Sequence, residues 1–476
     1  MLKDKYDAVV VGSGPNGLAA AIVLQQKGLD VLLIEGKETI GGGLRSSQQL
    51  LPGYTLDVCS AIHPMALQSP FFKSLALEEH GLNFIHPSVL AAHPMDGGDS
   101  VGLFPSLRAT AVQLGVDEGR YMRFLGSLSQ SWPALIEDVL APLHIPKMPL
   151  DMMRFGYKAL PSASYTARNF KTEKLKALWA GMAGHAMLPL SYAGTSAVAL
   201  VLLLAGHTAG WPIPEGGSQS IANALASYFK SLGGEIKTNY HVDSLQKLPA
   251  AKALLFDIGP KQLLEIAGHK FSNWYQKQLQ RYRYGMGVFK MDWVLEGPVP
   301  FRSEICLNAG TVHIGNTFSE IAEAEYQTWH GRHPEKPFVL LAQQSLFDTK
   351  RTKEGKQIVW AYCHVPHGST KDMNKQIERQ IERFAPGFID NIISKKTMNA
   401  QQFAAYNPNY VGGDINGGAM DITQLFTRPA LFGSPYKTSV KGIYICSSST
   451  PPGGGVHGMC GYHAAHRVLK DLFKKH

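Results

Sequence analysis

Cysteine is scarce in this chain. Its 476 residues hold five, Cys59, Cys306, Cys363, Cys446 and Cys460, with no Cys-x-x-Cys pair and no metal-ligand spacing. An odd, patternless count fits a reducing compartment and argues against a redox-active disulfide or a metal centre. Charge is also thin, at 17% of residues against 45% hydrophobic, which is a globular rather than a disordered composition. The net charge is +9, but the basic residues are spread out, apart from a short Lys470–Lys475 cluster. No aromatic-basic interleaving accompanies them, so nucleic acid is not expected as a partner. A long uninterrupted apolar run is missing too. Residues 188–214 carry no Asp, Glu, Lys or Arg, yet Pro189, Gly194, Gly206 and Gly210 break them up. The unbroken apolar part falls well short of the ~20 residues a bilayer crossing needs. The stretch reads as a buried helix beside an apolar channel, or as a shallow contact with a membrane face. There is no internal repeat and no low-complexity tract. The first strand starts around Tyr6, which leaves no room for a signal or transit peptide. The expected location is cytoplasmic, with peripheral contact at a membrane as an open alternative.

Glycine is what the chain has in quantity, and it is concentrated where it can do chemistry. Val9-Val10-Val11 runs into Gly12-Ser13-Gly14-Pro15-Asn16-Gly17, then a helical stretch, then Val31-Leu32-Leu33-Ile34-Glu35. Gly12 permits the tight strand-to-helix turn, Gly14 lets a pyrophosphate approach the backbone, and Gly17 lets helix and strand pack closely. Free N–H groups and the positive end of the helix dipole then hold phosphates. Glu35, ending the second strand, can accept hydrogen bonds from ribose hydroxyls, with Gly36 beside it. This motif alone leaves FAD and NAD both open. The one other Gly-x-Gly-x-x-Gly spacing, Gly453–Gly458, lies in the C-terminal glycine segment and is not followed by a second strand, so oxygen or a quinone is favoured over NAD(P) as electron acceptor.

Elsewhere, helical spacing marks residues 218–232, stopped by Gly233-Gly234, and Ile377, Ile381 and Phe384, stopped before Pro386. Residues 235–242 and 253–258 read as strands, and 282–314 has the composition of several strands. At 476 residues, two domains are expected.

Ile40-Gly41-Gly42-Gly43-Leu44-Arg45 resembles the second glycine motif of the amine oxidase and phytoene desaturase flavoproteins, and Gly53–Asp57 resembles the segment just downstream. Residues 210–217, 309–315, 412–418 and, most specifically, 451–461 extend the likeness over essentially the whole chain. The chain thus resembles the phytoene dehydrogenase-related FAD oxidoreductases, in particular the subfamily named for a pyridine nucleotide-disulphide oxidoreductase domain.

The resemblance implies an α/β fold with FAD as cofactor. A Rossmann-like FAD-binding domain would be assembled from discontinuous segments (1–62, 212–270 and 425–476). An α+β substrate domain would be inserted between them (63–211 and 271–424). It also implies that Gly42, Gly43, Leu44 and Arg45 meet the FAD diphosphate and flavin region, that Val242 offers backbone hydrogen bonds to the adenine, and that Ser448 lies near the pyrophosphate. Relatives usually carry a longer insertion where this chain has only 243–252, and Gly or Asp where it has Ser447–Ser449. The segment Gly455-Val456-His457-Gly458-Met459 would open the C-terminal helix and stabilise charge on the flavin with its N–H groups.

Candidate acid-base residues are His457, His63 and Tyr462, with His185 further from the motifs. Asp57 reads as a structural residue near the flavin, and Cys460 as a small buried side chain. The leading expectation is hydride transfer between flavin N5 and an apolar isoprenoid- or lipid-like substrate, desaturating or saturating a C–C bond. The alternatives are an amine or amino-acid oxidase, with Arg154, Arg168 or Arg302 as anchor, a redox-neutral flavin isomerase, or a flavin-carrying assembly factor without turnover.

Overall fold

The computed structural model describes residues 3–48, 52–431 and 433–473. Lys474 and Lys475 of the basic cluster lie outside the described residues. The strands of the two large sheets are, in chain order, β1 (Lys5–Val11), β2 (Val31–Ile34), β3 (Val89–Pro94), β4 (Ser100–Leu103), β5 (Glu235–Lys237) and β6 (Ala250–Phe256), then β7 (Gly287–Leu295), β8 (Ala309–Ile314), β9 (Val339–Ala342), β10 (Gln357–Val365), β11 (Ile392–Met398) and β12 (Ile443–Ile445).

The first sheet runs β12-β6-β1-β2-β5 with every pairing parallel. Its central strands are continuous apolar runs because both faces are covered. Helix α1 (Pro15–Gln25) follows β1 directly, with Pro15 in its first turn, where a missing N–H costs nothing. Residues 16–24 of α1 are all buried. The C-terminal helix α2 (Met459–Leu472) and the amphipathic helix Gln219–Ser231 pack against it.

The second sheet runs β11-β7-β10-β9-β8-β3-β4, antiparallel except for the β8–β3 pair. One face packs Met291, Trp293, Val312, Leu341 and Ala361 against Ile377, Ile381 and Phe384 of the helix Asn374–Phe384. The other face carries Thr311, Ala342 and Trp360 in one cross-strand row, and His313, Leu340 and Tyr362 in the next. Leu340, Ala342, Trp360 and Tyr362 join the core cluster that includes α1 and the first sheet.

One expectation changes. The strand expected over 235–242 ends at Lys237, because Asn239 takes φ +53. Its N–H and that of Tyr240 turn instead to the carbonyls of Lys37 and Glu35. The uncharged stretch at 188–214 contains the helix Thr195–Thr208, and no helix among the described residues is long and apolar enough to cross a membrane.

Candidate functional site

A cavity of about 820 Å³ lies between the C-terminal ends of the first sheet and the second face of the second sheet, at the upper end of small-molecule sites. Its position follows from topology. From β1 the chain passes to β2 on one side and later to β6 on the other, which opens a crevice beyond the end of β1.

The glycine loop is built for backbone approach. Gly12 has φ +99, and a β-carbon there would lie 2.7 Å from the Asp257 carbonyl oxygen. At Gly14 it would lie 2.7 Å from Asp257 Oδ2. Gly42, at φ +56, presses a second turn onto the Cα of Gly14. Glu35 accepts the Ser13 hydroxyl (2.5 Å) and N–H, the Lys37 N–H (2.9 Å) and a salt bridge from Arg45 Nη2 (3.0 Å). Its carboxylate therefore ties the two glycine turns together and keeps little capacity for ribose hydroxyls.

Asn16 Oδ1, in the cavity wall, is buried without a protein partner. A cradle with no room for side chains, an unsatisfied polar atom and a helix N-terminus together fit the diphosphate of FAD. Of the residues expected to hold it, Gly12, Gly14, Pro15, Asn16, Glu35, Gly36, Gly42, Gly43, Arg45, Val242, Ser448, Gly455 and Val456 line the cavity.

Others do not line it. Leu44 is core, and Gly17 is taken up in packing, its N–H donating to Asp257 Oδ2 at 2.9 Å. Met459 does not present a free donor, because its N–H is spent on His457 Nδ1 at 3.0 Å. Gly458 supplies the φ +68 turn that starts α2. His457 is 1% exposed and outside the cavity wall. Burial pulls its pKa down to about 4, and its carbonyl takes the Ser69 hydroxyl at 2.6 Å. It braces the loop rather than facing a substrate. Tyr462 packs on Phe71, His463 and His466, away from the cavity. The acid-base roles expected of His457 and Tyr462 are corrected accordingly. Cys460 is buried, its thiol raised to about 11 mainly by burial.

His63 does face the cavity. The Ser218 hydroxyl gives its one proton to the Ser60 carbonyl (2.7 Å), so it accepts from His63 Nε2–H at 2.8 Å. Nδ1 is then a bare lone pair, and it is buried without a protein partner. Burial, partly opposed by the charge of Asp57, brings the His63 pKa down to about 4, so the ring is neutral at neutral pH.

Beyond the cofactor loops, the wall includes Ile62, Met65, Leu202, Trp211, Leu340, Ala342 and Ile415, with His185, Thr311, Trp360 and Tyr362 as polar members and Cys59, Tyr406, Asn407, Asn409, Tyr410 and Asn416 nearer the glycine turns. None of these carries a formal charge once His185, whose pKa burial depresses to about 3, is neutral. Arg154, Arg168 and Arg302 do not line the cavity, so the expected anchor for an amino-acid carboxylate is not there.

Two important residues carried no motif. Asp257 ends β6 as Glu35 ends β2, and its buried carboxyl is raised to about 7 by burial first and by the Glu35 charge, against the pull of the Gly17 N–H. That matching strand-end position was a signal the sequence held. Arg351 held none. It is fully buried and reaches Asp57 Oδ2 (2.6 Å), Asp348 (2.8 Å) and the Pro214 carbonyl (2.7 Å).

A family model described as flavin containing amine oxidoreductase matches residues 16–262. The chain is 23% identical to pyridine nucleotide-disulfide oxidoreductase domain-containing protein 2 of Mus musculus, over 99% of this chain and 94% of that one. It is also 23% identical to a phytoene desaturase (lycopene-forming) of Pseudescherichia vulneris, over 95% and 96%. Among solved structures, a redesigned triple mutant of putrescine oxidase superposes with a TM-score of 0.65 at 15% identity, over 98% of this chain and 99% of that chain.

Proposed function

Because the chain belongs to the flavin containing amine oxidoreductases, and is with them an FAD-dependent oxidoreductase, we propose that it desaturates or saturates a C–C bond of an apolar isoprenoid- or lipid-like substrate. FAD, when bound, supplies the hydride acceptor or donor. The observation that supports this substrate class is the wall beyond the cofactor loops, which is apolar and free of formal charge. An ionised amino acid would leave its carboxylate there without a partner, at a high desolvation cost.

In this reading residues 1–62, 212–270 and 425–476 hold the cofactor, and 63–211 and 271–424 shape the substrate cavity. The strand content of the two sheets supports that division. Ile62, Met65, Leu202 and Trp211 exclude water from the reacting carbons. His63 is the proton-accepting group. Its lone pair at Nδ1 is fixed by the Ser60–Ser218 chain and lies in the wall between the second glycine turn and the apolar face. Access from a membrane surface belongs to the same proposal. Leu143, Ile145, Leu150, Met153 and Tyr157 are each 70% or more exposed, and the helix Pro149–Ala159 that carries three of them packs on the helix of the cavity residue Leu202.

The test is anaerobic mixing of the FAD-loaded protein with candidate polyenes. Bleaching of the flavin, slowed ~10²-fold or more in His63→Gln with the pH profile altered, is the expected result. Bleaching by amines with peroxide release, and none by polyenes, overturns the reading.

A further inference from the structure

The apolar wall contains hydrogen-bond donors that the protein itself does not use. Trp360 and Tyr362 sit two residues apart on one face of β10, both lining the cavity and both 8% exposed. The indole Nε1 of Trp360 is buried without a protein partner. The Tyr362 hydroxyl makes no hydrogen bond among the described residues, and its acidity is suppressed by burial. Trp360 packs edge-on against Tyr362 at 5.1 Å, so the two rings hold each other's orientation.

The third donor follows from a buried histidine pair. His185 Nε2 lies 3.0 Å from His313 Nε2, so one ring donates and the other accepts. His313 Nδ1 is buried with no partner. An orphaned lone pair is tolerated more often than an orphaned N–H, which makes His313 Nε2 the donor and leaves the proton of His185 on Nδ1. His185 is half-buried, lines the cavity and stacks edge-on against Trp211. Its free edge is therefore a donor as well.

An indole N–H can only donate, a phenol hydroxyl donates to any stronger acceptor, and neutral His185 donates through Nδ1. No formal charge stands on this part of the wall. A ligand made only of carbon and hydrogen would leave all three donors unpaired, and a carboxylate, phosphate or ammonium would bring in a charge with no counter-ion. We propose that the substrate carries, on an otherwise apolar body, one neutral oxygen acceptor (a hydroxyl, ether or carbonyl) that the neighbouring Tyr362 and Trp360 grip, with His185 as a further donor on the same wall. Tyr362 and Trp360 are thereby the specificity residues that set the register of the apolar body along the cavity. This rests on the apolar-substrate reading above and narrows it.

The test uses three probes of equal carbon number on the FAD-loaded protein: β-farnesene, farnesol and farnesoate. Dissociation constants are read from quenching of tryptophan fluorescence or from the flavin absorbance. The useful quantity is the ratio of the β-farnesene constant to the farnesol constant, compared between wild type and Tyr362→Phe or Trp360→Phe. That comparison cancels the different water solubilities of the probes. The expected result is a ratio about tenfold smaller in the variants, with β-farnesene binding unchanged, and farnesoate weakest in wild type. Tyr362→Phe removes a hydroxyl that bonds to nothing in the protein, so its melting temperature is expected to stay level or rise. A purely structural tyrosine would lower it. A ratio unchanged in both variants overturns the oxygen grip and leaves the apolar reading standing. Failure of all three probes to bind wild type overturns the apolar reading and the grip with it.

Discussion

Gly461 lies flat against the carbonyl of Asn16: a β-carbon at 461 would sit 1.8 Å from that oxygen and 2.9 Å from the Ala20 nitrogen. The last helix of the chain thus rests directly on the first turn of its first helix. Both neighbours are backbone atoms, which cannot swing aside as side chains do. Asn16 and the 454–456 loop line one cavity, so this contact sets how the two ends of the chain enclose it.

Gly461→Ala is therefore expected to push the helices apart. Overpacking costs about 1–3 kcal/mol, and FAD affinity should fall at least ~10-fold, since 1.4 kcal/mol is a factor of ten. Urea unfolding of the apoprotein and a FAD titration check both. A variant with wild-type stability and affinity contradicts the contact.

Asp257 gives the cofactor site a pH dependence. Its carboxyl, raised to about 7 against an ordinary value of 3.8, binds a proton more readily in the folded chain than in the unfolded one. Its contribution to stability is thus fully present below the ordinary value and lost as pH rises through 7. The ionised form also opposes the diphosphate charge. FAD affinity should weaken between pH 6 and pH 8, and Asp257→Asn, which can still accept the Gly17 N–H, should abolish that change. Titration at both pH values decides it. An identical pH slope in the variant contradicts the role.

Arg351 and Asp57 form a buried ion pair across 294 residues of sequence. Burial alone would raise the Asp57 carboxyl. The Arg351 guanidinium, the Ser218 N–H and the Ser46 hydroxyl outweigh burial and hold it below the usual range. The stability it confers is present above pH 4 and is lost as pH falls through the depressed value. Arg351→Met leaves the buried carboxylates of Asp57 and Asp348 without their shared cation and should cost about 3–5 kcal/mol at pH 7, with the loss shrinking in acid. Denaturant melts at pH 7 and pH 3.5 measure it. An equal loss at both contradicts the pairing.

The exposed apolar side chains of residues 143–157 predict binding to lipid. Sedimentation with vesicles of phosphatidylglycerol and phosphatidylcholine should carry the protein down. The double variant Ile145→Ser, Tyr157→Ser should weaken this several-fold without changing the melting temperature, because both side chains are 82% or more exposed. Equal sedimentation of both proteins contradicts the surface.

The glycine-rich side of the cavity was largely legible in the sequence, because its demands are local. Gly12, Gly14 and Gly42 each answer to a turn or a close approach, and β1, α1, β2 and the acidic strand end Glu35 stand in unbroken order. The side formed by the second sheet was not. Thr311, Trp360 and Tyr362 are ordinary strand residues in sequence. Only the cross-strand register through Ala342 and Leu340 brings them to one face. His457 was misjudged because its neighbours in sequence line the site while its own ring turns inward to cap Met459. Arg351 and Asp57 are partners that only tertiary folding joins.

Reconstitution of the purified chain with FAD is the most direct measurement. Two ends closing on one isoalloxazine-bearing dinucleotide predict a yellow protein with one FAD per chain, and weaker retention of that FAD in Gly461→Ala. A colourless polypeptide that takes up no FAD from excess cofactor contradicts the account.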